Sequence, residues 1–425
     1  MRLAAAVLAT FFPIAAFCEE PLSLEQAIRI ATESSRALRV SDLMERKADL
    51  LHTGTLSDFG PKVALDFEWR YWDSGFRLRL HPPADAAEPI RSVVDETTAT
   101  VRPRGTWVAG LTLDQPLTGL YSAWEGRELA ALKSEKAAFE TRMERCKVRL
   151  AVVEAWYELA RAREELAVRQ AALKTWQELL AAARQTRPDD GPWFETEVER
   201  AMQAVTDAEA AEDVANQRLA LLLARPLDSR IELGEAMLPE EKQDVLEEAL
   251  QNRADVALAS KAVDIARVSR RLQAMEWVPR VDALFRYERN NPSDFLPEAA
   301  WFLGVVISWN AWEWGKSWFR YRALGMDLLG ALQELAAVKE KARLEVRSAA
   351  IAARQARAAA QRAAEVATRA KGLAQSLMER YRRGEAPALE AREATMSAIE
   401  ADVTRITASY NDAVARWRLK WATGH

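Results

Sequence analysis

The chain of 425 residues is 49% hydrophobic and 29% charged, which is the composition of a folded protein rather than a disordered one. Its formal net charge of −4 gives no basic surface of the kind that neutralises phosphates, so we exclude nucleic acid as a partner. Sixteen glycines are well below the average share of about 7%, and this scarcity favours long helices over a turn-rich globular domain.

Residues 1–18 have the order of a secretory signal peptide, with Arg2 followed by an apolar run from Leu3 to Phe17. Cleavage after Cys18 would leave Cys146 alone, which excludes an intramolecular disulfide. The alternative is lipid attachment at Cys18, although Phe17 stands where that modification favours a small residue. Either interpretation predicts an exported protein.

The remaining chain is a duplicated unit. Leu24-Glu25-Gln26-Ala27-Ile28 returns as Leu246-Glu247-Glu248-Ala249-Leu250, and Trp107 and Trp124 align without a gap with Trp301 and Trp318. We therefore divide the chain into a first repeat over 19–226 and a second over 227–425. Each repeat is predicted to run helix, strand, loop, strand, long helix, turn, helix.

Four segments alternate apolar and polar residues with the period of two that a strand requires. They are predicted strands at about 62–72, 105–116, 279–289 and 301–311, each close to the nine to eleven residues of a tilted membrane-crossing strand. In the first, Val63, Leu65 and Phe67 point to one face, and Ala64, Asp66, Glu68 and Arg70 point to the other. The loops between paired strands, 73–104 and 291–300, are polar and suit an outer mouth.

Aromatic residues cluster at the ends of these segments, as in the girdles of membrane barrels. The predicted lipid-facing or girdle residues are Trp69, Tyr71, Trp107, Tyr287 and Trp301 at one level, and Trp309, with Trp277, Trp312 and Trp314, at the other. The alternative is a soluble sheet packed on helices. We favour the barrel because four strands cannot cover their own apolar face and edges, so several chains must close it.

A heptad seam runs from Leu328 to Tyr381 in steps of four and three, and Lys339 is its one break. The seam is rich in alanine, which lets supercoiled helices approach closely. Helices over roughly 122–186 and 317–381 would each reach about 100 Å. Taken alone, these helices also fit a coiled-coil spacer or a periplasmic adaptor with a helical hairpin.

In this order, the segments resemble the TolC-like outer-membrane efflux and secretion channels over essentially the whole mature chain. Leu24 to Ile28 resembles the opening helix of that family, Gln115-Pro116-Leu117-Thr118-Gly119 its strand-to-helix junction, and Tyr381-Arg382-Arg383-Gly384 its hairpin tip. The second junction departs from the family, because Trp309-Asn310-Ala311-Trp312-Glu313-Trp314-Gly315 stands where a Pro and an Asp-Gly-Gly turn are usual.

The resemblance implies a mainly α fold with a membrane β-barrel part. Three chains, with four strands each, would close a twelve-stranded barrel in the outer membrane of a Gram-negative bacterium, and the helices would form a periplasmic tunnel. The expected function is the passive exit duct of a tripartite efflux pump or a type I secretion system. Its expected partners are a periplasmic adaptor, an inner-membrane pump and outer-membrane lipid.

The resemblance also suggests site residues. Glu390, Glu393 and Glu197 stand where the family places acidic rings at the closed periplasmic end, a cation-binding gate. An alternative for Glu390 is simple stabilisation in the first turn of a helix after Pro387. Adaptor contacts are expected at the hairpin tips, about 187–193 and 381–389, which include Gly191, Trp193, Tyr381, Arg382, Arg383 and Gly384.

No residue pattern suggests an enzyme, a cofactor or a metal site. His52, His81 and His425 lie far apart and have no paired ligand at metal spacing. A phosphate-binding glycine loop and a nucleophile elbow are also missing from the sequence. The two hypotheses left by the sequence are therefore a membrane duct, which we favour, and a soluble periplasmic coiled-coil adaptor or structural protein.

Overall fold

The computed structural model describes residues 21–79, 85, 87, 98–236, 238–239, 251–291 and 297–424. The predicted signal peptide lies outside these residues, as do parts of both predicted outer loops. The chain forms two compact units. One comprises Met1–Asp42, Phe139–Ala257 and Ala337–His425, and the other comprises Leu43–Ala138 and Leu258–Ala336. Each unit therefore draws on both halves of the sequence.

Seven helices of more than one turn are named here in chain order. They are α1 (Leu24–Ser34), α2 (Arg36–Gly54), α3 (Gly119–Thr186), α4 (Gly191–Leu222), α5 (Ala254–Ala274), α6 (Lys316–Arg382) and α7 (Ala388–Ala422). A capping box starts α1, because the Ser23 side chain accepts from the Gln26 amide and the Gln26 side chain accepts from the Ser23 amide. In the described part of the chain, no helix is both long enough and apolar enough to cross a membrane.

The second unit contains a four-stranded antiparallel sheet. Its strands are β1 (Lys62–Tyr71), β4 (Gly105–Pro116), β5 (Arg280–Asn290) and β6 (Ala299–Ser308), and they lie side by side in the order β1-β4-β5-β6. These strands lie where the sequence predicts them, except that the last ends at Ser308 and not at residue 311. After Ser308 the chain leaves the sheet and turns at Glu313 to Lys316, where α6 begins.

A two-stranded sheet lies where the sequence predicts only a loop. It consists of β2 (Phe76–Arg79) and β3 (Thr98–Arg102), which pair antiparallel. The segments are short, but β2 alternates apolar and basic residues and β3 is rich in β-branched residues, which is the local chemistry of a strand. The loop prediction for 73–104 is therefore wrong over these residues.

The described residues of the first unit form two hydrophobic cores. The larger joins α1, α3, α4 and α7 around Leu24, Val152, Leu219 and Trp417. The smaller lies beneath the hairpin turns and contains Trp176, Leu179, Phe194 and Tyr381. Both combine residues from the two sequence repeats, so neither repeat completes a core alone.

The seam predicted along α6 agrees with the burial of this helix from Ala342 onwards. All buried α6 residues lie on that seam, namely Ala342, Val346, Ala353, Ala367, Ala374 and Tyr381. Nearer the start of the helix the seam is open, and Leu332 is 42% exposed. The small side chains permit close helix approach where the seam is covered.

Candidate functional site

One face of the four-stranded sheet is apolar across all four strands. The register aligns Leu65, Leu111, Tyr287 and Trp301 in one row, and Val63, Leu113, Phe285 and Leu303 in the next. The outer-strand members of these rows are uncovered, since Leu65 is 82% exposed and Leu303 is 72% exposed, whereas Leu111, Leu113 and Phe285 on the inner strands are half-buried. A contiguous exposed apolar face of this kind marks a surface that meets something other than water.

The opposite face of the sheet carries most of the charged residues of β1, β4 and β5, together with the apolar residues Ala64, Val108 and Leu284. Arg286 lies 3.5 Å from Asp66 on β1 and also pairs with Glu288, while Arg280 pairs with Asp282 at 2.8 Å. Gly110 faces Asp66 at the centre of this surface, where the carboxylate occupies the space that a Cβ at Gly110 would fill. β6 departs from the pattern, because Phe302 and Val306 lie on this face and are 48% and 45% exposed.

Among the described residues, no strand pairs with either edge of this sheet. β1 and β6 are the outer strands, and almost every residue of each is exposed, in contrast to the inner strands β4 and β5. Soluble proteins usually protect such edges with charges, proline or a covering element. β6 reads Ala-Ala-Trp-Phe-Leu-Gly-Val-Val-Ile-Ser and contains no charged residue, so it is unprotected by its own sequence.

The predicted girdle residues fall into three places. Trp69 and Trp107 face each other in the register, and Trp69 stacks on Tyr71 with ring centroids 6.2 Å apart. Tyr287 and Trp301 face each other in a different row, nearer the middle of the sheet. Trp309 follows the other end of β6 and is 58% exposed.

The connection from β6 to α6 contains two residues with an unusual backbone conformation. Trp314 has φ of 52° and Gly315 has φ of 81°, so two successive residues are left-handed. This conformation suits glycine, whereas a side chain costs roughly 1–2 kcal/mol. Trp314 is nevertheless 87% exposed, and its ring lies 6.1 Å from that of Trp312.

In the first unit the two hairpin turns lie against each other. Arg187 donates hydrogen bonds to the carbonyl oxygens of Gly384 at 2.6 Å and Ala386 at 3.0 Å. The Tyr381 hydroxyl donates to the Asp190 carboxylate at 3.1 Å. Gly384 has φ of 78°, which lets the chain turn tightly and present its carbonyl to Arg187.

Tyr381 links this polar contact to the smaller core. Its ring is fully buried and lies 5.5 Å from Phe194. Burial, followed by the nearby negative charge of Asp190, raises the pKa of Tyr381 to about 12. The hydroxyl therefore stays protonated and remains a donor throughout the neutral range.

The tip residues predicted to contact an adaptor differ in accessibility. Gly191 and Tyr381 are buried within the chain. Trp193 is 57% exposed, and Arg382, Arg383 and Gly384 are also exposed. Arg382 pairs with Glu178 at 3.0 Å and Arg383 lies 3.8 Å from Glu385, so both guanidinium groups are oriented by neighbours while remaining at the surface.

The three predicted gate carboxylates lie in two different environments. Glu390 and Glu393 are exposed on the first two turns of α7. Glu197 is only 4% exposed, and it accepts hydrogen bonds from Arg392 at 2.6 Å and Arg200 at 2.8 Å. The structure therefore places Glu197 in a buried ion pair between α4 and α7, apart from the two surface carboxylates.

The sequence placed Arg187 and Asp190 in a predicted hairpin tip but gave no sign of the hydrogen bonds by which they join the two turns. It missed Arg392, which joins α7 to α4. A local pattern gives no signal for them, because each partner lies in the other repeat. In the described part of the chain, no group of three or more His, Cys, Asp or Glu residues is placed to hold a metal ion.

Comparison with known proteins identifies the fold through structure rather than sequence. No protein-family model matches the chain, and no curated protein matches it. The outer-membrane channel OprN superposes with a TM-score of 0.78 at 18% identity, over 94% of this chain and 89% of OprN. The outer membrane protein VceC of Vibrio cholerae superposes with a TM-score of 0.77 at 13% identity, over 94% of this chain and 96% of VceC. The open state of the Neisseria gonorrhoeae MtrE outer membrane channel gives 0.79 at 17% identity, over 94% of this chain and 88% of MtrE.

The chain has the fold of these outer-membrane channels. The TolC-like fold predicted from the sequence is confirmed, including its long helices and four principal strands. The likeness extends over nearly the full length of each channel, as expected for a shared architecture rather than a shared helical hairpin. At identities this low, the superpositions establish the fold only. The activity has to be argued from the surfaces of this chain.

Tyr381→Phe tests the contact between the hairpin turns. Loss of the hydroxyl should lower the free energy of unfolding by about 0.5–1.5 kcal/mol at neutral pH, because Asp190 loses its donor. The raised pKa of Tyr381 means that its stabilising contribution is complete below the ordinary value of 10 and is lost as the pH rises through about 12. The free energy of unfolding of the variant should therefore fall less than that of wild type as the pH rises through about 12, measured by denaturant unfolding of the purified full chain followed by circular dichroism.

Tyr121→Phe is the matched control, since Tyr121 is 53% exposed. It should change the free energy of unfolding by less than about 0.5 kcal/mol. Equal effects of the two substitutions would contradict the assigned role of Tyr381.

Proposed function

We propose that this chain is one protomer of a trimeric outer-membrane exit duct that conducts passively and is gated at its periplasmic end. The observation that carries the proposal is the sheet with one exposed apolar face, one charged face and two open edges. This is the local architecture of a barrel wall between lipid and water. The fold shared with OprN, VceC and MtrE supports the same conclusion.

The open edges give the reason for an oligomer. Four strands are too few to close a barrel, since the smallest membrane barrels have about eight. Pairing β1 of one copy with β6 of the next would satisfy both edges, and repeating this pairing three times closes twelve strands. The number three comes from the resemblance to TolC-like channels, while the need for more than one copy follows from the edges themselves.

The polar face of the sheet would then line the water-filled interior. Asp66, Arg286 and Glu288 form an ion-paired network there, which keeps both signs of charge in contact with water. The apolar rows headed by Leu65 and Val63 would face the acyl chains of the outer membrane. The predicted outer mouth, with the β2–β3 hairpin, would lie on the extracellular side.

Glu390 and Glu393 are the proposed gate residues at the periplasmic end. Both carboxylates are exposed in one protomer, so a threefold axis can bring copies of each into a ring. Carboxylates held close in a narrow pore attract cations and disfavour anions. Glu197 has a different proposed role, which is to hold α4 and α7 together. Its carboxylate is ion-paired with Arg392 and Arg200 within the chain and is not available to ions in a pore.

The hairpin turns are the proposed docking site for a periplasmic adaptor, which would connect the duct to an inner-membrane pump. Trp193, Arg382 and Arg383 offer an exposed aromatic ring and two guanidinium groups at this end. An adaptor that separates the turns must break the Arg187 and Tyr381 hydrogen bonds. Binding there could thereby be coupled to opening, for an efflux pump or a type I secretion system alike.

The first experiment is the native mass of the full chain extracted with detergent from isolated outer membranes. A particle of three chains in that fraction would establish the composite barrel. A soluble periplasmic monomer or dimer would mean that the sheet is not in lipid and would overturn the channel proposal in favour of a periplasmic coiled-coil protein.

Leu111→Arg tests which face of the sheet meets lipid. An arginine at the bilayer midplane should cost roughly 2–4 kcal/mol and reduce the yield of assembled protein. Thr112→Arg is the matched control, because residue 112 lies next to Leu111 but points to the opposite face, where Arg286 is its neighbour on β5. Folding into lipid vesicles is measured by protease resistance, and the assignment fails if the Leu111 variant assembles as well as wild type.

Glu390→Ala combined with Glu393→Ala tests the gate. In planar bilayers the double variant should show weaker cation selectivity and weaker block by multivalent cations, because the pore loses its ring charges. Glu209→Ala removes an exposed carboxylate elsewhere on α4 and should change neither property. Glu197→Ala should mainly destabilise the protein, by up to roughly 3–5 kcal/mol, because it leaves Arg392 unpaired. Unchanged selectivity and block in the double variant would refute the gate assignment.

A further inference from the structure

The side of α6 that lies opposite its buried seam is exposed over a long stretch. Four large apolar residues on that side are at least half exposed, namely Leu344 (68%), Ile351 (50%), Val366 (56%) and Leu373 (59%). Arg362 and Arg369 lie among them, at the spacings of four, seven and eleven residues that keep helical side chains on one side. We call these six residues the basic α6 face. Large apolar side chains between the arginines indicate a face that is covered rather than solvated.

The charge around the basic α6 face is positive. From residue 343 to residue 371, α6 contains seven Lys and Arg residues and two Glu residues. Both of those carboxylates already have partners, because Glu345 pairs with Arg253 at 2.5 Å and Glu365 lies 3.8 Å from Arg369. The basic α6 face therefore suits an acidic partner.

The exposed side of α4 has the opposite charge. Its exposed apolar residues are Met202 (54%), Val214 (66%) and Leu221 (69%). Its exposed carboxylates include Glu199, Asp207 and Asp213, and none of these three forms an ion pair with another described residue. The nearest cations of α4 are engaged elsewhere, since Arg200 pairs with Glu197 at 2.8 Å and Arg218 pairs with Glu158 at 2.6 Å. We call these three apolar residues and three carboxylates the acidic α4 face.

The two faces lie at matching heights in the first unit. Arg187 binds the Gly384 carbonyl at 2.6 Å, so the hairpin turns are side by side and both helices can be counted from the same end. At about 1.5 Å per residue, Asp213 and Arg362 each lie about 30 Å from the turns, and Leu221 and Ile351 each lie about 45 Å from them. Opposite charges and apolar side chains therefore stand at corresponding positions along two helices of opposite chain direction.

We propose that the acidic α4 face of one copy packs on the basic α6 face of the next copy. The inference rests on the proposed oligomeric channel and commits to a second copy because the two faces of one chain are complementary in charge and in height. Two acidic faces would repel, as would two basic faces, so the contact can only be head to tail. A head-to-tail contact leaves one free face of each kind until a ring closes. The charges thus give the helices their own rule of assembly, independent of strand pairing.

Cross-linking tests whether the two faces meet between copies. Val214→Cys and Ala359→Cys place one thiol on each helix at about 35 Å from the turns, in a Cys146→Ser background. The purified full chain, reconstituted in lipid vesicles, is treated with a short bis-maleimide. We expect bands of two and three linked chains on a denaturing gel, and no such bands when either cysteine is present alone. A product linked only within one chain would overturn the inference.

Charge reversal tests whether the contact depends on complementarity. In the two-cysteine protein, Arg362→Glu with Arg369→Glu sets acidic groups against the acidic α4 face and should lower the yield of linked chains at least about fivefold. Adding Asp207→Arg with Asp213→Arg exchanges the charges of both faces and should restore the yield to within about twofold. This restoration separates lost recognition from misfolding. Arg149→Glu with Lys174→Glu is the matched control, because it makes the same change in net charge at exposed cations of α3 and should leave the yield unchanged.

The outcomes separate this inference from the channel proposal. If detergent extracts no particle of several chains from the outer membrane, both proposals fall. If a three-chain particle forms but the thiols do not link neighbouring copies, or if charge reversal leaves the yield unchanged, only the contact between the helix faces falls. It also falls if the two-cysteine protein in whole outer membranes links to a polypeptide of another mass in place of its own copies, because an adaptor would then cover these faces.

Discussion

The four-stranded sheet has two requirements that its own chain leaves unmet. The backbone edges of β1 and β6 need strand partners, and the apolar rows through Leu65 and Val63 need a nonaqueous surround. Different partners meet these requirements, since a copy of the chain can supply hydrogen bonds and lipid can cover side chains. The placement of charges agrees, because the ion pairs of Arg286 lie on the opposite face. In the proposed channel, assembly and membrane insertion would thus be linked through one structural element.

At the hairpin turns, helical periodicity separates two kinds of electrostatic contact within four residues. Glu390 and Glu393 are three residues apart and share an exposed side of α7. Arg392 lies between them in sequence, but its side chain projects from a different side of α7 and contacts the buried Glu197 on α4. A charge that holds two helices together and charges that are available to ions can therefore be neighbours in sequence without competing. The acidic residues near this turn are not equivalent, and only their surroundings distinguish them.

The sequence predicted the strands well because a period of two is read directly, and a one-residue slip would place Leu111 on the charged face. The β2–β3 hairpin escaped notice because four or five alternating residues inside a long polar connection give a weak pattern. The ion pair of Glu197 could not be foreseen, since Arg392 lies 195 residues away in the other repeat. Periodicity reports which side of an element is apolar, whereas a polar contact depends on which elements meet. The fold was therefore predictable in outline, whereas the hydrogen bonds and ion pairs of the candidate site were not.

The larger core of the first unit joins distant parts of the chain. Leu24 on α1 and Trp417 on α7 belong to the same cluster, and Leu22 bridges to Leu233. This core cannot close until the last helix has been synthesised, so the earlier helices must wait without their final packing partners. Such a delay hinders premature folding during synthesis. For the proposed outer-membrane duct, which would cross one membrane unfolded before it enters another, this order of events would be an advantage.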